Sequence, residues 1–307
     1  VRSAYTGETP KIAGRAVGRH RTAAIDLCTP KQVRLRALLG KLMFNSGEGA
    51  APFGSSSVAA VTMYNFVVSP QFNDLRIIAS APTNVTGRLL GRGCNPSERK
   101  GVPGLRLTGA SPGAPSVQRC TYQLAHLPTG ATVTVTERFA EFTPTGHDDL
   151  DTLTHAHNWP MHDAPLTPTE QEWLDGVPQS SGDADRLFAA VVVRLNLRDP
   201  KGTWAIGNWF SDPLGEPLRQ PVFHNLGLPD RSLQGSGEHW TLTWDGYPYV
   251  DDLVYALTDP VVGLAGLTVE PAGLEVVLRL GTARLKLAHR PSPPSQRSRI
   301  SPGSSRY

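Results

Sequence analysis

Apolar positions in this chain recur mostly with a period of two, and they are broken by frequent Gly and Pro. Val58–Val68 is rich in Val, Tyr, Phe and Thr, and Leu75–Ser80 follows as a second strand candidate. Val117–Leu127 and Ala131–Phe142 flank Pro128-Thr129-Gly130, a pattern that predicts a long hairpin. In its second arm Thr132, Thr134 and Thr136 alternate with Val133, Val135 and Glu137, which gives a strand with two different faces. Further strands are predicted over Leu187–Leu197, Thr203–Phe210, Glu238–Trp244, Leu253–Leu257 and Leu274–Ala288. Turn signals separate them at Asp199-Pro200-Lys201-Gly202 and Asp245-Gly246.

Helical spacing is clear in two places. After Pro30, the residues Val33, Leu35, Leu38, Leu39 and Leu42 fall on one side, flanked by Arg34 and Lys41. This predicts a short basic amphipathic helix over 31–43. Farther on, Thr167-Pro168-Thr169-Glu170 supplies an N-cap, a first-turn proline and a capping-box partner. The segments 45–57 and 81–116 read as loops. With no strand–helix–strand rhythm and no internal repeat, the fold class expected is mainly β: an antiparallel sandwich or jelly roll with long loops and few short helices.

Composition adds to this picture. The chain has 307 residues, 39% of them hydrophobic, with 30 Gly and 27 Pro. Loops should therefore be abundant, while six Trp and nine Phe argue for a real core. Cys28, Cys94 and Cys120 are far apart and odd in number, which favours reduced thiols over a disulfide framework or a Cys-rich zinc site. Asn84-Val85-Thr86 forms a sequon without other signs of secretion. No run of about 18 apolar residues is present to span a bilayer. The first residue is Val1, so processing, trimming or a fragment is expected.

Charge is sorted along the chain. Residues 1–136 carry 16 Lys/Arg against 5 Asp/Glu, residues 137–278 carry 7 against 22, and residues 279–307 carry 7 against none. The formal net charge of +3 hides two basic ends around an acidic body. Basic ends attract polyanions through counterion release, and an acidic body repels them. The organisation expected is a flexible basic arm with its helix over 1–44, a β-rich domain over 45–289 and a disordered Arg/Ser/Pro tail over 290–307. An acidic, His-rich insertion lies at about 143–182. Candidate RNA-binding cations are Arg15, Arg19, Arg21, Arg34, Arg36 and Lys41 in the arm, and Arg290, Arg297, Arg299 and Arg306 in the tail. Arg279, Arg284 and Lys286 precede the tail and share its charge. Spaced arginines among Gly, Ser and Pro suit phosphate contact without base readout.

Other candidate chemistry is thinner. Four of the nine histidines fall within residues 146–163. His155 and His157 would point the same way from a strand, and Asp148, Asp149 and Asp151 offer oxygen ligands suited to a structural Ca²⁺. A metal-dependent hydrolase built on His155, His157 and His162 needs a third placed ligand and an open position, and no HExxH is present. Gly109-Ala110-Ser111-Pro112-Gly113 matches GxSxG formally, but Pro112 removes the oxyanion-hole N–H expected after the serine. No phosphate-binding GxxxxGK[ST] loop occurs. Trp240, Trp244, Tyr247 and Tyr249 form an aromatic group with acidic neighbours, which favours packing over base stacking.

The layout of basic arm, β-rich body with long loops and basic tail resembles the coat protein of a small icosahedral RNA virus. The resemblance lies in organisation and carries no motif of a particular virus family. It implies a chain that assembles with copies of itself, and with other coat chains where these exist, into an icosahedral shell. The basic ends would then lie inside on genomic RNA, in a virion assembled in the host cytoplasm, and no cofactor beyond a structural calcium would be needed. A ribosome-associated component of a ribonucleoprotein would explain the same charges without self-assembly.

Overall fold

The computed structural model describes residues 1–17, 25–45, 65–91, 101–111, 120–137, 158–207, 209, 231–245, 247–272 and 275–290. Among these it is a mixed helix and strand protein with seven helices and two five-stranded sheets. Helices α1 (Arg2–Thr6), α2 (Pro10–Val17) and α3 (Pro30–Met43) precede β1 (Asn65–Pro70) and β2 (Asp74–Ala79). Helix α4 (Pro82–Leu90) then leads to β3 (Leu105–Ser111), β4 (Thr121–His126) and β5 (Ala131–Thr136). The second half runs α5 (Pro168–Gly176), α6 (Gly182–Val193), β6 (Arg231–Ser236), β7 (His239–Asp245), α7 (Val250–Thr258), β8 (Leu267–Ala272), β9 (Glu275–Leu280) and β10 (Ala283–Arg290).

The two sheets share one topology. Their strand orders are β1-β2-β5-β4-β3 and β6-β7-β10-β9-β8. In each, the last strand pairs parallel to the second strand, and every other neighbour is antiparallel. Each half is thus a helix, a hairpin, a short helix and a three-stranded meander, so the described structure repeats although the sequence shows no repeat. The parallel pairs set both sheets apart from an all-antiparallel sandwich. They escape a search for strand–helix–strand rhythm because each crossover holds a helix and two further strands.

One apolar core joins the halves. Leu35, Leu38, Leu39 and Leu42 of α3 share it with Leu75 and Ile77 of β2 and Val133 and Val135 of β5. Phe188, Val191 and Val192 of α6 share it with Trp240, Leu242 and Trp244 of β7 and with Leu285 and Leu287 of β10. Helices α3 and α6 pack directly on each other, and Gly40 makes their approach possible. A Cβ at Gly40 would stand 3.2 Å from Val192 Cγ2 and 3.3 Å from Phe188 Cβ.

Several segments expected as strands or loops fold otherwise. Leu187–Leu197 lies mostly within α6, because Ser181 caps its start by accepting from the Ala184 N–H at 3.2 Å and Asp183 and Asp185 favour the positive end. Its apolar run is buried on nearly all sides, so periodicity cannot separate helix from strand. Leu253–Leu257 is helical within α7, with Asp251 and Asp252 in the first turn. The described part of 203–210 forms only an isolated bridge, Ala205 to Arg198. The described part of Leu274–Ala288 is a hairpin, β9 and β10, turned at Gly281 with φ 57°. Strands β3, β6 and β8 and helix α4 lie where the sequence suggests loops or nothing definite, β3 and α4 both within the expected loop at 81–116.

The expected flexible arm is largely folded where it is described. Arg2 is buried, pairs with Glu8 at 2.8 Å and donates to the Pro70 carbonyl, which ties α1 to β1. The helix expected over 31–43 and the capped helix after Thr167 both form, the latter with its complete capping box. Cys28 and Cys120 are free thiols, and no described helix is long and apolar enough to cross a membrane.

Candidate nucleic-acid interface

Strand β10 reads Ala-Arg-Leu-Lys-Leu-Ala-His-Arg, and its alternation sorts two chemistries onto two faces. Ala283, Leu285 and Leu287 are buried against α6 and the core. Arg284 and Arg290 are exposed on the reverse, with Lys286 half-buried between them. Six residues of strand separate Arg284 from Arg290, about 20 Å at about 3.3 Å per residue.

The central position of β10 gives this row mostly polar neighbours, with Val277 of β9 opposite Lys286 as the apolar exception. Arg284 stands opposite Arg279 of β9 and beside His239 of β7. Lys286 stands beside Thr241, and Arg290 beside Asp245. Ser232, Gln234 and Ser236 of β6 continue the same face beyond Thr243, Thr241 and His239. No Phe, Tyr or Trp occupies an outward position on the five strands. The face can therefore contact phosphates and sugar hydroxyls but offers no platform for stacked bases.

Two of its cations have carboxylate partners. Arg279 pairs with Glu270 at 2.7 Å and Lys286 with Glu275 at 2.5 Å, all four side chains being at least one-third exposed. Such surface pairs contribute about 0–1 kcal/mol, so a phosphate can replace either carboxylate. Arg284 makes no ion pair among the described residues. Among the described residues the first sheet presents no comparable basic row: its reverse side buries Thr121, Thr134, Thr136 and Arg106.

The structure distributes the candidate cations unevenly. Arg15 is exposed on α2, Arg34 on α3 and Arg290 at the end of β10. Arg36 is buried, 1% exposed, and donates to Gln32 and to the Gln71 and Asp74 carbonyls. Lys41 donates to Ser180 Oγ and the Pro178 carbonyl and lies 3.6 Å from Asp185, with its Nζ 5.6 Å from the Trp240 ring centre. These two bind the protein itself and leave the expected RNA-facing set. Arg19, Arg21, Arg297, Arg299 and Arg306 lie outside the described residues, as do Asp148, Asp149, Asp151, His155 and His157. His162 is exposed, and no group of three His, Cys, Asp or Glu able to hold a metal occurs among the described residues.

The remaining sequence candidates fall into the framework. Trp240, Trp244 and Tyr247 are buried, which matches a packing role for the aromatic group. Gly109 and Ser111 belong to β3, and Asn84 lies inside α4 with Val85 and Thr86 buried. The hydroxyl and amide row of β6 is absent from the expected sites, although its alternation around Leu233 is a signal that could find it. No protein-family model, curated protein or solved structure matches the chain.

Proposed function

We propose that this chain is a structural RNA-holding protein of the shell-forming kind, which carries RNA on the outward face of its second sheet and on the basic tail that follows. The observation behind this is the row Arg284, Lys286 and Arg290, continued in sequence by Arg297, Arg299 and Arg306. The basic residues of the strand thus continue in the sequence that follows it. The contacts it offers are to phosphate, which suits packaging a genome of any sequence. Shell formation rests on the charge layout of two basic ends around an acidic body.

Sedimentation of the purified chain, with absorbance at 260 and 280 nm read across the gradient, tests both parts. A fast, RNA-rich peak is expected. A slow RNA-containing complex would replace the shell by a ribonucleoprotein subunit, and a slow chain free of nucleic acid would remove both.

A further inference from the structure

Arg36 is a buried cation with no anion in contact among the described residues. Its Nε donates to Gln32 Oε1 at 3.2 Å, and one terminal nitrogen donates to the carbonyls of Gln71 at 2.7 Å and Asp74 at 3.0 Å. All three acceptors are neutral. The nearest carboxylates are committed elsewhere. Asp26 grips Arg194 through two bonds of 2.7 Å, and Asp74 accepts from Thr132 and Thr134. The other terminal nitrogen of Arg36 has no oxygen acceptor among the described residues, and the Cys28 thiol is hydrogen-bonded to this guanidinium. A guanidinium desolvated to this degree favours a contacting anion, because neutral carbonyls replace only part of the lost hydration.

Arg36 also lines a cavity of about 330 Å³ at the junction of the two halves. Leu27 and Val33 form one wall, and Ala189 of α6 with Leu264 beyond α7 forms the other. Arg186 stands at this cavity as a second cation, its side chain 50% exposed and 3.2 Å from Asp183. Cys28 adjoins Arg36; burial pushes its thiol up while Arg36 pulls it back. Asp26 lines the cavity too, with both of its carboxylate oxygens held by Arg194, so the site joins an apolar body to two guanidiniums and one carboxylate that is already paired.

We propose that this cavity binds a small organic carboxylate with an apolar body, its carboxylate on the second terminal nitrogen of Arg36 and its chain along Leu27, Val33 and Leu264. Walls from both halves close on the ligand, so its binding also clamps α3 to α6 and raises the unfolding temperature with concentration.

Octanoate and octanol are the probes, titrated calorimetrically into the full-length chain. Octanoate should give saturable binding and raise the unfolding midpoint, and octanol should bind at least tenfold more weakly. Ala265→Trp, at an exposed position lining the mouth, should abolish octanoate binding while leaving far-UV circular dichroism unchanged. Arg36→Gln should lose the preference for octanoate over octanol. Equal binding of the two probes, no saturable octanoate binding, or binding unaltered in Ala265→Trp would each overturn the proposal.

Discussion

Arg106 and Glu170 meet through two parallel hydrogen bonds, Nη1 to Oε1 at 2.7 Å and Nη2 to Oε2 at 2.8 Å. The same carboxylate accepts from the N–H groups of Gly104 and Thr167, both at 2.9 Å. One side chain therefore closes the capping box of α5 and anchors that helix to β3. Arg106 spends its other donors on the carbonyls of Ala164, Leu105 and Pro165. Removing one partner strands a buried charge, so Glu170→Ala should lower stability by about 3–5 kcal/mol in urea unfolding. The double variant Arg106→Met/Glu170→Leu should cost less than the two single losses added together. Strict additivity would show that the pair acts as two independent groups.

Acid should weaken the fold in two steps. His126 is 1% exposed, with Nε2 3.1 Å from the Pro103 carbonyl and Nδ1 2.9 Å from the Thr129 hydroxyl. Burial holds this imidazole down to about 4, against an ordinary value of 6.5. The unfolded chain binds the proton first, so this contribution is whole above about pH 6.5 and is lost as pH falls toward 4. Burial alone would raise the Glu170 carboxyl, but Arg106 and the two N–H donors outweigh it and hold it at about 2. Its contribution is whole above about pH 4.5 and disappears toward pH 2. Urea midpoints measured from pH 8 to pH 3 should fall in both windows, and His126→Gln should flatten the upper one.

The basic row makes a prediction about salt. Each phosphate that the chain ceases to neutralise should flatten the slope of log K against log salt by about 0.7–0.9. Replacing Arg284, Lys286 and Arg290 by alanine should therefore reduce the slope by about 2–3 without changing the unfolding midpoint by more than a few degrees. Deleting 291–307, with Arg297, Arg299 and Arg306, should reduce it by a similar amount. A slope that survives both changes would place RNA elsewhere.

Lys41 provides the contrast. Its side chain is 11% exposed and its ammonium is held between Ser180, Asp185 and the Trp240 ring. Lys41→Gln should leave the salt slope unchanged and lower stability by about 1–2 kcal/mol. A flattened slope in this variant would return Lys41 to the RNA-facing set.

The legible parts of this fold are those with local chemical signals. Thr167 and Glu170 announce the start of α5, and Pro128-Thr129-Gly130 announces the hairpin of β4 and β5. Leu35, Leu38, Leu39 and Leu42 trace the buried side of α3. What misleads is β-branched residues in buried helices. Val191, Val192 and Val193 suit a strand by propensity, but α6 buries them against α3 and packing overrides preference. The candidate site is legible as charge and illegible as geometry. Arg36 and Arg34 look alike in sequence, yet two positions along α3 carry one guanidinium into the interior and leave the other outside. Charge alone groups Arg284 and Lys286 with the tail, and only the pairing of β10 reveals them as a row.

Because both sheets follow one strand order and meet through α3 and α6, the chain carries within itself what would otherwise be a dimer interface. Each half owns a complete set of strands, and neither needs a strand from the other. The halves should therefore behave as a divisible pair. Two polypeptides, one ending after β5 and the other beginning before α5, should recognise each other through the α3–α6 contact at Gly40 and the Arg106–Glu170 pair when mixed, and rebuild the native circular dichroism spectrum at a one-to-one ratio.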